Sequence, residues 1–359
     1  MRVRLEDVCE KESSKLKQSD VIDQNGLYPV YGASGYLGNI NTYQQSNYYI
    51  AVVKDGAGIG RTMLLPPESS IIGTMQYLIP KDNVLPEYLY YVVKAKHLEK
   101  YFSGATIPHI YFKDYKNEQF DLVSFEEQRV IINRLKKIEI IIDNLSKNLL
   151  LLDELVRARF VEMFGDPRIN DKKWKTGKIV DYFEVKGGKR IPKGMGYAER
   201  KTNHPYLRAS DMKNATILDD DIHYIDEEVY KRIKRYTVNA HDIYLTNVGV
   251  NLGMAGVIPK QYDGANLTEN AVKLVPKDKI LLNGIFLSYY INSPGIQHYI
   301  NERKMSVGVP KLAIFRIESM PLLLPPLELQ NQFASFVEEV DKSRLLSNHS
   351  LLLLKSIIF

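Results

Sequence analysis

Leu122-Val123-Ser124-Phe125-Glu126-Glu127-Gln128-Arg129-Val130-Ile131 recurs as Leu324-Pro325-Pro326-Leu327-Glu328-Leu329-Gln330-Asn331-Gln332-Phe333, at an offset of 202 residues. Leu122, Phe125, Glu126, Gln128 and Ile131 thereby pair with Leu324, Leu327, Glu328, Gln330 and Phe333. The same offset relates Pro108 to Pro310, Ile110 to Leu312, and Leu149-Leu150-Leu151-Leu152 to Leu351-Leu352-Leu353-Leu354. A repeat on this scale sets the domain plan before any motif is read. Upstream the offset drifts, as loop insertions would make it. Leu78-Ile79-Pro80-Lys81-Asp82 matches Leu274-Val275-Pro276-Lys277-Asp278 at 196, and Gly56 and Gly60 match Gly249 and Gly253 at 193. Each half is therefore a variable front, 1–123 or 172–325, followed by a back segment, 124–163 or 326–359. Two such halves imply a pseudo-twofold molecule.

The back segments carry a coiled-coil seam. Ile131, Leu135, Ile138, Ile142, Leu145, Leu149, Leu152 and Val156 step alternately by four and three, the heptad spacing of a long helix. Ser124 and Glu127 have capping-box spacing, which marks the helix start. Carried forward by 202, the seam reads Phe333, Val337, Val340, Arg344, Ser347, Leu351, Leu354 and Ile358, apolar at both ends and polar in the middle. At ~1.5 Å per residue the seam is roughly 39 Å long, close to the ~34–36 Å of one DNA turn, so two such helices could act as a ruler. Read alone, one such heptad is also what the core of a helical hairpin looks like.

Bulk properties narrow the class. A chain of 359 residues with 45% apolar and 25% charged residues is a soluble globular protein of more than one domain. A net charge of +5 permits an anionic partner without requiring one. A single cysteine, Cys9, excludes an intramolecular disulfide and a cysteine-based zinc cluster, and fits a reducing cytoplasm. The charged start Met1-Arg2-Val3-Arg4-Leu5-Glu6-Asp7 is unlike a secretory signal, and no apolar run nears the ~20 residues that span a bilayer. The expected location is cytoplasmic, without membrane.

The fronts read as α/β. Asn47–Val53 and Asp242–Thr246 are strand-like and end in glycine turns, and helices are expected near Glu87–Tyr101 and Asn283–Asn301. Both fronts carry loops rich in glycine, polar and aromatic residues: Tyr31–Asn39, Lys186–Lys193 and Tyr206–Asp211. Glycine lets backbone approach a phosphate, Arg and Lys pair with phosphates or guanine edges, and Asn, Ser and Tyr complete bonds to bases. The plain alternatives are packed aromatic turns and solvated basic faces.

Catalytic patterns are few. Val53-Lys54-Asp55-Gly56-Ala57-Gly58-Ile59-Gly60 follows a strand and resembles a nucleotide or methyltransferase cofactor loop, but in the repeat only its outer glycines recur. The sequence has no Asn-Pro-Pro-aromatic tetrapeptide, no Walker loop and no His-Glu-x-x-His helix, and its histidines lack ligand spacing.

Five segments together resemble the specificity subunits of type I restriction-modification enzymes: Tyr28–Gly35, Gly104–Ile110, Phe164-Gly165-Asp166-Pro167, Tyr206-Leu207-Arg208 and Leu324–Gln330. Their order, the repeat and the paired helices carry the likeness over the whole chain. It implies two target recognition domains separated by two long antiparallel coiled-coil helices, each domain reading half of a bipartite, gapped site in double-stranded DNA. Implied partners are two methyltransferase subunits, bringing S-adenosylmethionine, and an endonuclease/translocase subunit using ATP and Mg. The chain itself would bind no cofactor or metal and would catalyse nothing. It departs from the pattern in stopping at Ile357-Ile358-Phe359, whereas the first helix runs through Arg157 to Phe164, which would weaken docking of a partner.

On this reading the expected DNA contacts are Tyr31, Ser34, Lys54 and Arg61 in the first domain, and Lys189, Arg190, Arg208, Ser210, Asn247 and Asn251 in the second. Competing readings are a non-DNA protein scaffold and a self-contained DNA methyltransferase.

Overall fold

A computed structural model describes residues 1–22, 24–104, 108–277 and 282–358. Ala105, Thr106 and Ile107 of the Gly104–Ile110 segment, Asp278 and the terminal Phe359 lie outside the described residues. The chain divides into two compact units, Met1–Lys147 with Ser347–Phe359, and Asn148–Leu346.

In chain order the first unit contains β1 (Arg2–Arg4), α1 (Leu5–Val8), β2 (Cys9–Ser13), β3 (Tyr28–Gly32), β4 (Gly35–Ile40), β5 (Tyr49–Val53), β6 (Thr62–Leu65), β7 (Ser70–Ile71), β8 (Met75–Pro80), α2 (Pro86–Lys94), α3 (Phe112–Tyr115), β9 (Gln119–Asp121) and the start of α4 (Phe125–Phe164). Strands pair as β2-β8-β5-β6, β4-β3-β7 and β1-β9. β5 is buried on both faces, which explains its unbroken apolar run. Ile50 and Val52 point into a core with Leu5, Leu78, Leu89 and Ile110, while Tyr49, Ala51 and Val53 point into another with Ile71 and Met75.

The second unit continues with β10 (Lys175–Lys178), α5 (Ile179–Tyr182), β11 (Phe183–Gly187), β12 (Pro205–Leu207), β13 (Met212–Lys213), β14 (Thr216–Ile217), β15 (His223–Tyr224), α6 (Glu227–Ile233), β16 (Ile243–Thr246), β17 (Ala255–Val257), β18 (Asn266–Leu267), β19 (Ala271–Pro276), α7 (Gly284–Asn292), α8 (Pro294–Arg303), α9 (Ile314–Glu318), β20 (Pro321–Leu324) and the start of α10 (Leu327–Ile358). Its sheets, β11-β19-β16-β17, β15-β12-β18 and β10-β20, reproduce those of the first unit strand for strand. The hairpin β13-β14 and helix α6 are additions upstream of β16, where the offset between equivalent residues falls further, to 174 at Ser13 and Gly187.

The duplication extends to single hydrogen bonds. Gly56 N donates to Pro108 O at 3.0 Å and Gly249 N to Pro310 O at 2.9 Å. Gly60 N donates to Val53 O at 2.9 Å and Gly253 N to Thr246 O at 2.8 Å. Gly56, Gly60, Gly249 and Gly253 all have positive φ, which only glycine adopts without strain. The Val53–Gly60 turn joins antiparallel β5 to β6, so no helix N-terminus stands behind it to receive a phosphate.

The expected front helices are also shorter than the apolar spacing implied. α2 ends at Lys94, and His97 takes a left-handed φ of 49° before a short 3₁₀ turn. The second stretch breaks between α7 and α8 at Ser293-Pro294, where proline lacks an amide and forces its predecessor into extended backbone.

All eight seam positions of α4, from Ile131 to Val156, are buried or half-buried, and so are Phe333, Val337, Val340, Arg344, Ser347, Leu351, Leu354 and Ile358 on α10. Inside the second unit the two helices run antiparallel. Phe160 lies 5.5 Å edge-on to Phe333, and Arg344 donates to Asp153 at 2.6 Å. That ion pair explains a polar residue on the seam.

Gln128 and Gln330 fasten each long helix to its own front domain. Both are buried. The carbonyl of Gln128 accepts from Leu85 N at 2.8 Å and its amide donates to Val123 O at 3.0 Å; Gln330 does the same with Asn283 N and Pro325 O, at 2.8 Å each. Leu85 and Asn283 are the N-cap residues of α2 and α7, so one side chain joins the starts of two helices. Gln128→Leu or Gln330→Leu strands a buried N–H and a carbonyl, and should cost about 1–3 kcal/mol each. Thermal unfolding of the full chain checks this, with Glu126→Gln on the exposed face as an unchanged control.

Candidate nucleic-acid interface

Of the expected contacts of the second domain, Arg190, Arg208 and Ser210 come together beside the strand β12. Gly187-Gly188 lets the chain leave β11 against the neighbouring backbone. A Cβ on Gly188 would stand 2.0 Å from Thr268 O, so only glycine fits. Lys189 N then donates to Leu267 O at 2.8 Å, and Arg190 emerges beside the Thr268-Glu269-Asn270 turn. Arg190 Nε donates to Glu269 Oε1 at 2.5 Å. The other carboxylate oxygen faces the Tyr206 and Thr268 hydroxyls at 3.4 and 3.2 Å. Burial works to raise the Glu269 carboxyl, but the bond and charge of Arg190 outweigh it, leaving it below the usual carboxylate range. Burial also pushes the Tyr206 phenol up to about 12.

Arg190, Arg208 and Ser210 line one cavity of about 390 Å³, together with Tyr197, Glu269 and Asn270. Of the cavity residues not singled out from sequence, Thr268, Glu269 and Asn270 had one local signal. They form a polar interruption between Leu267 and the apolar β19. The bond from Glu269 to Arg190, 79 residues away, has none.

Arg208 is braced by its neighbours. Its Nε lies 3.2 Å from both Asp211 oxygens, its Nη2 2.7 Å from Asp211 Oδ1 and 3.0 Å from Asp221 Oδ2, and its Nη1 3.2 Å from His223 Nε2. The Asp211 side chain is only 4% exposed and also accepts from the backbone N of Arg208. Every nitrogen of this guanidinium is thus engaged. Asn247 is also enclosed. It is buried, and its Nδ2 donates to Leu312 O at 3.4 Å where β16 enters the glycine turn. Asn251 is half-buried in that turn, with its carbonyl accepting from the Thr246 hydroxyl. Lys189 is exposed, its ammonium 5.8 Å from the Tyr236 ring centre, and Ser210 is exposed with its hydroxyl on Asp211.

In the first unit Tyr31, Ser34 and Arg61 come together at the β3-β4 turn. Arg61 Nη1 donates to Ala33 O at 2.7 Å, Ser34 is exposed, and the half-buried Tyr31 meets Tyr36 edge-on at 6.2 Å. Lys54 sits apart, at the exit of β5, where its backbone is held by Thr74 and Ile110. Next to it Asp55 and His109 Nδ1 are 2.6 Å apart. Among the described residues no group of three or more His, Cys, Asp or Glu is placed to hold a metal, and no helix is long and apolar enough to cross a membrane.

Two domains of one frame, each with its own polar loop cluster, joined to long helices, define a duplicated recognition protein. The family model described as the type I restriction modification DNA specificity domain matches residues 1–151 and 171–355, and the chain belongs to that family. It is 24% identical over 301 residues to the type I restriction enzyme MjaIX specificity subunit of Methanocaldococcus jannaschii, covering 78% of this chain and 68% of that one. Among solved structures, the S subunit of the type I restriction-modification system of M. genitalium superposes with a TM-score of 0.59 at 16% identity, covering 100% of this chain and 93% of that one. A structure addressing complex assembly and conformational transition of the type I R-M system gives 0.64 at 14%, covering 100% and 95%. These two likenesses establish the fold. The family establishes the role of a specificity subunit, the DNA-recognising component of a type I restriction-modification system.

Arg208→Met leaves the Asp211 carboxylate largely buried without its partner and should destabilise the second unit by about 1–3 kcal/mol. Asp211→Asn should be milder. The expected readout is a lowered unfolding midpoint with DNA preference intact in the folded fraction. Loss of preference at one base pair without loss of stability would return Arg208 to the role of reader.

Proposed function

We propose that each front domain reads one half of a bipartite, gapped DNA site, so that the chain directs separate methyltransferase and endonuclease/translocase subunits to it. One observation carries this reading: two domains that agree in strand order and hydrogen bonding carry different side chains at equivalent points of that frame. Tyr31 and Arg61 of the first stand where the second has Leu207 and Met254, and Arg190 and Glu269 of the second stand where the first has Leu16 and Gly73. A shared frame with unlike loops is what two readers of unlike sequences require, and it makes the site asymmetric.

The outer faces of the long helices support the partner reading. Ile140, Ile141, Leu352 and Leu353 are exposed in the first unit, and Leu150, Leu151, Leu345 and Leu346 in the second. Exposed apolar clusters of this kind mark surfaces that other proteins cover. Two methyltransferase copies, one for each half, follow from the duplication. S-adenosylmethionine, ATP and Mg belong on those partners, and the chain contributes binding energy rather than bond chemistry, in the cytoplasm where its DNA lies.

Co-expression with the methyltransferase subunit of the same system in an unmodified host, followed by genome-wide mapping of modified bases, should reveal a split motif with a fixed gap. No modification, or an ungapped motif, would sink this reading in favour of a protein scaffold. Equilibrium dialysis of the purified chain should show no retention of S-adenosylmethionine; stoichiometric retention would instead mark a self-contained methyltransferase.

A further inference from the structure

The cavity beside β12 contains a donor that is positioned but unspent. Arg190 has a side chain 79% exposed, yet its Nε is fixed on Glu269, whose side chain is 29% exposed and whose far oxygen faces two hydroxyls. Among the described residues nothing engages Nη1 or Nη2. A guanidinium held by Nε turns its Nη1–Nη2 edge outward, and two parallel N–H groups match the O6 and N7 acceptors of guanine in the major groove. Holding the side chain in advance also lowers the entropy lost on binding.

We propose that Arg190, positioned by Glu269, reads a single guanine in the half-site of the second front domain. This assignment rests on the DNA reading above and names the residues that carry one base pair of it. Three features favour a base over a phosphate. The Arg190–Glu269 pair has no net charge, and its carboxylate would repel a phosphate placed against Arg190. The neighbouring Arg208 has already spent every nitrogen on Asp211, Asp221 and His223. The walls of Tyr197 and Tyr206, with Ser210 and Asn270 at the rim, suit the flat edge of a base pair better than a charged tetrahedral group.

The first domain lacks this device. Strand registers align the two halves residue by residue, with Ser13 opposite Gln76 in the first and Gly187 opposite Val272 in the second. Counting outward from those pairs, Arg190 corresponds to Leu16 and Glu269 to Gly73, which also meet, through Gly73 N to Leu16 O at 2.7 Å. The meeting point is retained and the charged pair is not, so the guanine requirement belongs to one half of the site only.

The test uses the full chain with its methyltransferase subunit: mapping of modified bases, and binding to duplexes changed one base pair at a time over a range of salt. Arg190→Ala and Glu269→Ala should both relax the same single position, with discrimination for guanine there falling roughly 10- to 100-fold and all other positions unchanged. Arg190→Lys keeps the charge but not the fork, and should relax that position with the salt dependence intact. Uniform weakening on every sequence by Arg190→Ala, with a salt slope shallower by about one, would make Arg190 a phosphate contact and overturn the proposal. An unchanged motif in both alanine variants would overturn it as well. In either case the wild-type split motif would still stand, so failure here is distinguishable from failure of the DNA reading. Wild-type protein that directs no gapped modification removes both.

Discussion

A buried glutamine at the start of each long helix is the constraint on which the rest depends. Gln128 and Gln330 each take a backbone N–H from the front domain and return an N–H to the residue entering the long helix. An amide is suited to this because it offers donor and acceptor on one rigid plane, and burial removes water as a competitor. The bracket fixes the direction in which each helix leaves its domain. Around it the aromatic core of the second unit, with Phe160, Phe164, Phe286 and Phe333, supplies bulk without direction.

On this fixed frame the exposed loops are free to differ. The glycine turns after β5 and β16 share their hydrogen bonds because left-handed backbone at Gly56 and Gly249 is a requirement of the turn and not of any ligand. What varies lies elsewhere on the frame, where Leu16 and Gly73 stand in one domain and Arg190 and Glu269 in the other. On the proposed reading, specificity resides in a small number of side chains held by second partners, while stability resides in the repeated frame. Arg208 and Asn247 show the division from the other side. Both have base-reading chemistry, and both have been drawn into the frame.

The sequence made the long helices legible because a heptad is a local pattern, and the half-buried seam of α10 includes Arg344 and Ser347 as the transferred spacing required. The duplication was legible for the same reason, as repeated letters at a fixed offset. The roles of the two glutamines were not, although their correspondence was plain, because the bonds they make span 43 and 47 residues. Arg208 read as a free cation in a polar loop, yet Asp211 three residues on was a sign that a turn would consume it. Asn247 followed a strand whose burial on both faces depends on sheets that no local pattern predicts. The break at Pro294 was readable and outweighed by the apolar spacing on either side of it. Glu269 shows the limit of local pattern most clearly, since its partner lies 79 residues away.

We propose that the two front domains are interchangeable readers on a common frame. This is tested most directly by replacing residues 172–325 with a second copy of residues 1–123 and mapping the bases modified with the methyltransferase subunit. The account predicts a gapped motif in which both halves are the sequence read by the first domain, with guanine no longer required where the native second half demands it. A motif whose second half stays native, or whose two halves both change to something new, would contradict it.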